Sequence, residues 1–249
     1  MHVLGLQSLL SKDFIWRARD LAASVGIEPA SGIPTGFPSL DRLLCDQGWP
    51  HDALLEVLVD IQGCGELRLL VPGLRHLLHQ ETRWVAWINP PFVPYAPALH
   101  SLGIDVNRIL LVHPNNHQEA LWALEKILES GSCSAALAWL NERELQDKQL
   151  RRVQSRAKEN RVWSTIFRSS RAARESSPAE FRFHIHSSRS NTGDMMVLSI
   201  LKRKGGWAVN DVSLKLQWHP NALPTDYIAG KWNLWRQMER TRETNRRIA

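Results

Sequence analysis

The stretch Glu56-Val57-Leu58-Val59-Asp60-Ile61-Gln62-Gly63-Cys64-Gly65-Glu66-Leu67-Arg68-Leu69-Leu70 decides the fold. It opens as an apolar run of strand length and passes through a turn with two glycines. Leu67, Leu70, Val71, Leu74, Leu77 and Leu78 then follow the spacing of one buried helical stripe. Strand, glycine turn and helix in that order build a phosphate cradle. A working cradle also needs a lysine for the phosphates and a serine or threonine for magnesium. Gly65 and Glu66 stand in that register, and a carboxylate there repels a triphosphate. The frame of a nucleotide-binding fold is present; its chemistry is absent.

Working outward, strands and helices alternate. Strands are expected at 54–59, 83–88, 109–112, 135–140 and 162–167. Helices are expected after Gly65 (kinked by Pro72), and at 94–102, 117–130 (ended by Gly131) and 142–160. Upstream, 8–24 reads as a short helix, followed by the turn-rich 31–41, a short helix at 39–44 and the turn Gln47-Gly48-Trp49-Pro50. Downstream, 168–177 reads as a basic, serine-rich loop. Phe181, Phe183 and Ile185 then alternate with Arg182, His184 and His186, and 195–201 and 212–218 form the arms of a hairpin. The expected fold is α/β: a mostly parallel sheet flanked by helices, with an antiparallel hairpin at its C-terminal end and a helical or flexible tail. Three segments follow: an N-terminal helical arm (1–30), a core (31–220), and a basic tail (221–249) with Ile228, Trp232 and Trp235 on one helical face beside Arg236 and Arg240.

At 249 residues the chain can bury one substantial core. No apolar run approaches the ~18 residues of a membrane span, and residues 1–21 lack the pattern of a signal peptide. A cytoplasmic location is expected, with Cys45, Cys64 and Cys133 reduced. Charge is uneven: residues 151–249 hold 20 Lys/Arg against 8 Asp/Glu, while 1–60 hold 4 against 8. His184 and His186 share a strand face without a nearby carboxylate or thiol, which reads as an exposed face and no metal site. There is no nucleophile motif, and Cys64 reads as an apolar filler.

The order and spacing of Thr35-Gly36-Phe37-Pro38-Ser39-Leu40-Asp41, Gly48-Trp49-Pro50, Glu56 and Leu102-Gly103-Ile104-Asp105 resemble the RecA core. The closer resemblance is to ImuA, the RecA-like accessory family of translesion synthesis. It is carried by Gly65-Glu66-Leu67-Arg68-Leu69-Leu70-Val71-Pro72, Trp87-Ile88-Asn89-Pro90-Pro91, Pro94-Tyr95-Ala96-Pro97-Ala98-Leu99, Leu121-Trp122-Ala123-Leu124-Glu125 and Ala138-Trp139-Leu140. It covers roughly residues 31–220.

Position by position, the resemblance implies a silent motor. The cradle lysine and threonine are replaced at Gly65 and Glu66, the water-orienting glutamate by Pro91, and the magnesium-holding aspartate by Trp139. No catalytic residue, cofactor or metal is expected. As partners the resemblance implies RecA, the polymerase-like protein ImuB and, through it, an error-prone DnaE-type polymerase. Lys202 and Lys204 would dock on RecA, and the tail residues Ile228, Trp232, Trp235, Arg236 and Arg240 on ImuB. Arg168, Arg171 and Arg174 would offer weak, non-specific DNA contact. The competing resemblance is to SulA-like division inhibitors that block FtsZ, which residues 67–140 also fit. An ATPase with a rebuilt loop is the third reading.

Overall fold

A computed structural model describes residues 32–63, 65–186 and 195–216. The N-terminal arm, Cys64 and the tail with Ile228, Trp232, Trp235, Arg236 and Arg240 lie outside the described residues. In chain order the elements are α1 (Pro38–Asp41), β1 (Leu54–Val59), α2 (Glu66–Gln80), β2 (Trp84–Ile88), α3 (Ala96–Ser101), β3 (Ile109–Val112), α4 (His117–Ser130), β4 (Cys133–Trp139), α5 (Asp147–Glu159), β5 (Trp163–Ser169), β6 (Phe181–His186), β7 (Met195–Lys202) and β8 (Val209–Lys215).

The strands form one eight-stranded sheet in the order β3-β2-β4-β5-β1-β6-β7-β8. Pairs from β3 through β6 are parallel, and β6–β7 and β7–β8 are antiparallel. The expected fold class holds. Among the described residues no helix is long and apolar enough to cross a membrane.

Each strand splits its side chains between two cores with a period of two. Leu55, Val57 and Val59 face α2, packing with Leu69, Leu70, Leu74 and Leu77. Leu54, Ala86, Ile88, Ala136, Ala138 and Ile166 face α4 and α5, packing with Leu121, Leu124, Leu128, Leu150 and Val153. α4 starts where Asn116 accepts the Glu119 N–H, and Glu119 in turn accepts the Asn115 N–H; Gly131, at φ 61°, ends it.

The turn-rich 31–41 segment has a physical reason for its residues. Asp41 accepts the Thr35 N–H at 3.0 Å, and the buried Thr35 hydroxyl accepts the Phe37 N–H at 3.0 Å. Gly36 sits at φ 82°, and a Cβ there would stand 2.4 Å from Pro72 Cβ. Pro72 therefore lies inside a continuous α2 with its ring packed against this turn. Gly36→Ala is expected to cost about 1–3 kcal/mol through combined left-handed strain and overpacking, read as a lower Tm. An unchanged melt would contradict that contact.

Several boundaries differ from the sequence expectation, among them the start of α5 and the end of β5. The helix expected at 142–160 begins only at Asp147, where the Gln149 side chain accepts the Gln146 N–H at 2.8 Å. The stretch 168–177 is not a basic loop: β5 continues to Ser169 and a 3₁₀ turn covers Ser170–Arg174.

Candidate functional site

Open α/β sheets bind ligands beyond the carboxyl ends of their strands. Here that edge is built by the β1–α2 and β2–α3 loops. In the first, Gly63 (φ 82°) and Gly65 (φ 99°) turn the chain into α2. Glu66, only 4% exposed, folds back so that its Oε1 accepts the Gly63 N–H at 2.8 Å. The backbone donor that a phosphate would seek is met by the loop's own carboxylate. Glu66 Oε2 is buried with no hydrogen-bond partner among the described residues.

The second loop is held by Asn89 (φ 54°), whose N–H donates to the Val112 carbonyl at 2.8 Å and whose Nδ2 donates to the Trp139 carbonyl at 3.0 Å. Asn89 thus ties the end of β2 to β3 and β4. Pro90-Pro91-Phe92-Val93-Pro94 follow, and Phe92 meets the first loop: a Cβ on Gly63 would lie 3.3 Å from its ring. Beneath, Trp139 stacks on Phe167 with centroids 4.4 Å apart and meets the Trp87 edge at 6.3 Å. The result is a pocket of about 260 Å³ walled by Trp87, Trp139, Pro91, Phe92, Leu67 and Glu66. Around it Ile61, Phe92, Val93 and Tyr95 are 63–85% exposed.

Both Pro91 and Trp139 line this pocket, Trp139 as an aromatic floor stacked on Phe167 and Pro91 in the wall. Gly63, Gly65 and Glu66, expected from the sequence to form one loop, are placed together in the β1–α2 turn. What residue spacing did not reveal is that the loop's replacement is an apolar, solvent-facing surface. The run Pro-Pro-Phe-Val-Pro, apolar in a segment expected to be a turn, was the available signal.

Next to it lies a polar hollow of about 350 Å³ lined by Asp60, Gln62, Asn141, Glu142 and Arg168. Its floor is a buried ion network. Glu56, with no exposure, accepts from Arg168 Nη1 at 3.0 Å, Arg182 Nε at 2.6 Å and the Ser177 hydroxyl at 2.8 Å. Arg168 also pairs with Glu142 and Glu175. Burial pulls the Arg168 guanidinium down, and the Glu142 and Glu56 carboxylates more than offset that, leaving it above its usual value. Arg168 is therefore corrected as a DNA contact: it faces inward and is spoken for. Arg171 and Arg174 are exposed on the 3₁₀ turn.

The remaining expected residues scatter. Lys202 ends β7 and donates to the Ser177 carbonyl at 3.0 Å, while Lys204 is exposed in the β7–β8 turn. His184 faces Asp60 at 3.3 Å and His186 faces Ser199 at 2.8 Å. Among the described residues no group of three or more His, Cys, Asp or Glu could hold a metal.

Comparisons with known proteins match the middle of the chain, which includes this edge. A family model described as cell division inhibitor SulA matches residues 57–163. A cell division inhibitor SulA from Edwardsiella piscicida is 34% identical over 74 residues, covering 30% of this chain and 44% of that one. Its counterpart from Photorhabdus laumondii is 30% identical over 115 residues, covering 46% and 63%. The chain thus spans about half the length of the curated relatives it matches. The crystal structure of SulA from Pseudomonas aeruginosa is similar at 25% identity over 47% of this chain and 98% of that one, with a TM-score of 0.39. These findings overturn the reading as a translesion-synthesis adaptor: the relatives carry the division-inhibitor name, so RecA, ImuB and the DnaE-type polymerase are withdrawn as partners. The span that holds both loops, the pocket and its apolar rim is similar to the SulA family of cell division inhibitors.

Proposed function

We propose that this chain is a non-catalytic binding protein of the SulA type, produced in the SOS response and acting in the cytoplasm, which inhibits division by covering a surface of FtsZ. The observation that carries the reading is the coincidence of the matched span, 57–163, with the loop pair that presents Ile61, Phe92, Val93 and Tyr95 to solvent. Exposed aromatic and aliphatic side chains gathered around one hollow are the composition of a protein-docking centre. A non-catalytic role is supported by the cradle itself, where Glu66 occupies the anion's place and Trp139 and Pro91 replace the groups that handle magnesium and water. The arm before residue 31 and the tail after 220 are proposed as separate additions to this core.

The test is sedimentation of purified FtsZ polymerised with GTP. Added in equal amount, the chain is expected to shift most FtsZ from pellet to supernatant and to lower GTP turnover in parallel. Unchanged pelleting at several-fold excess would refute the reading.

A further inference from the structure

Glu66 lines the pocket, and its Oε2 is a buried carboxylate oxygen to which nothing among the described residues donates. Its sister oxygen is satisfied by Gly63. A buried acceptor without a donor is unfavourable, and such groups in native proteins mark a place where something else supplies the bond. Among the described residues, apart from Glu66 and the loop backbone, the walls are indoles, prolines, Phe92, Val93 and Leu67. Aromatic faces attract a cation, apolar walls take up its methylene stem, and a carboxylate completes the charge-assisted hydrogen bond. The indole N–H groups of Trp87 and Trp139 are likewise buried without a partner, so the charge preference of the hollow rests on Glu66, the one acidic wall residue among those described.

Size and surroundings identify the source of that cation. At about 260 Å³ the hollow is just under the ~300–1,000 Å³ of ordinary small-molecule pockets. Its rim of Ile61, Phe92, Val93 and Tyr95 is wide and exposed, and a free small cation would leave that rim in water. A protein surface carrying one long basic side chain would cover the rim and fill the hollow together. Arginine fits better than lysine, because its flat guanidinium stacks on indoles and is more easily stripped of water.

We propose that the pocket is a socket for one arginine side chain of a protein partner, whose guanidinium donates to Glu66 Oε2 beside Trp87 and Trp139. The socket deepens the reading above by naming the chemistry of the contact, and only the partner's identity rests on that reading. Its test uses the full chain labelled with ¹⁵N, following the indole N–H signals of Trp87 and Trp139 during titration with N-acetyl-arginine methylamide. Those signals are expected to shift saturably with a millimolar Kd. N-acetyl-norleucine methylamide, which lacks the charge, should bind roughly tenfold more weakly.

Glu66→Gln keeps an oxygen for the Gly63 N–H while removing the charge, and it should weaken the arginine probe by about tenfold and leave the norleucine probe unchanged. Phe92→Ala, at a side chain 65% exposed, provides a second variant that does not disturb the core and should weaken both probes. No shift at about 100 mM probe, equal binding of the two probes, or indifference to Glu66→Gln overturns the proposal. Tighter binding of spermidine than of the arginine probe also overturns it, since the occupant would then be a free polyamine. The two readings fail separately. Arginine binding with normal FtsZ pelleting keeps the socket and removes FtsZ, whereas FtsZ inhibition with no probe binding removes the socket and keeps the division reading.

Discussion

Glu56→Ala is expected to lower the free energy of unfolding by about 3–5 kcal/mol, the range for breaking a buried ion pair by deleting one partner. Glu56 has no exposure, and the side chains of Arg168 and Arg182 are 3% and 7% exposed. The two arginines do not lose equally. Arg168 keeps Glu142 and Glu175, but the other contacts of Arg182 are the carbonyls of Glu175 and Ala172. Arg182 is therefore the charge left stranded.

That asymmetry gives the prediction a second arm. Glu56→Met with Arg182→Met removes the stranded charge along with its partner and is expected to recover most of the loss, because buried ion pairs replaced by packed apolar groups are often neutral in stability. Urea unfolding monitored by circular dichroism reads both variants. A loss under about 1 kcal/mol for Glu56→Ala would mean the network is not what joins β1, β5 and β6.

Val93→Asp is expected to abolish most of the inhibition of FtsZ while leaving the fold intact. The side chain is 85% exposed, so its replacement should change stability by no more than about 0.5 kcal/mol. A charge placed in the centre of a dry contact has a much larger effect there, on the order of 2 kcal/mol or about 30-fold in affinity. Trp207→Ala is the matching control. Trp207 is 90% exposed, but it lies in the β7–β8 turn outside residues 57–163, and its loss is expected to leave FtsZ pelleting suppressed. Wild-type inhibition by Val93→Asp, or loss of inhibition in Trp207→Ala alone, would move the docking surface away from the two loops.

The fold was legible because it is written in periodicity. β1 and β3 fall at the residues their apolar runs mark, and α4 runs from His117 to Ser130 between an asparagine cap and a glycine stop. Strand ends were less legible: β4 begins at Cys133 and β5 runs on to Ser169, because both are completed by pairing with neighbours distant in sequence. The site was half legible. That Gly65, Pro91 and Trp139 carry no charged side chain and Glu66 a carboxylate is plain from residue type alone. That Arg168 points inward is not, since its partners Glu56 and Glu142 lie 112 and 26 residues away. The partner assignment failed for a different reason. The quoted motifs lie on a scaffold that several binding proteins can share, and fold-level likeness does not choose between their partners.

The self-filled turn between β1 and α2 sets what a single substitution could achieve there. A lysine placed at Gly65 would add a positive charge, yet Glu66 would still answer the Gly63 N–H and Trp139 would still lie stacked on Phe167. A triphosphate arriving there would meet an anion already seated. Grafting a phosphate site onto this loop therefore takes several simultaneous changes, and none of them suffices alone.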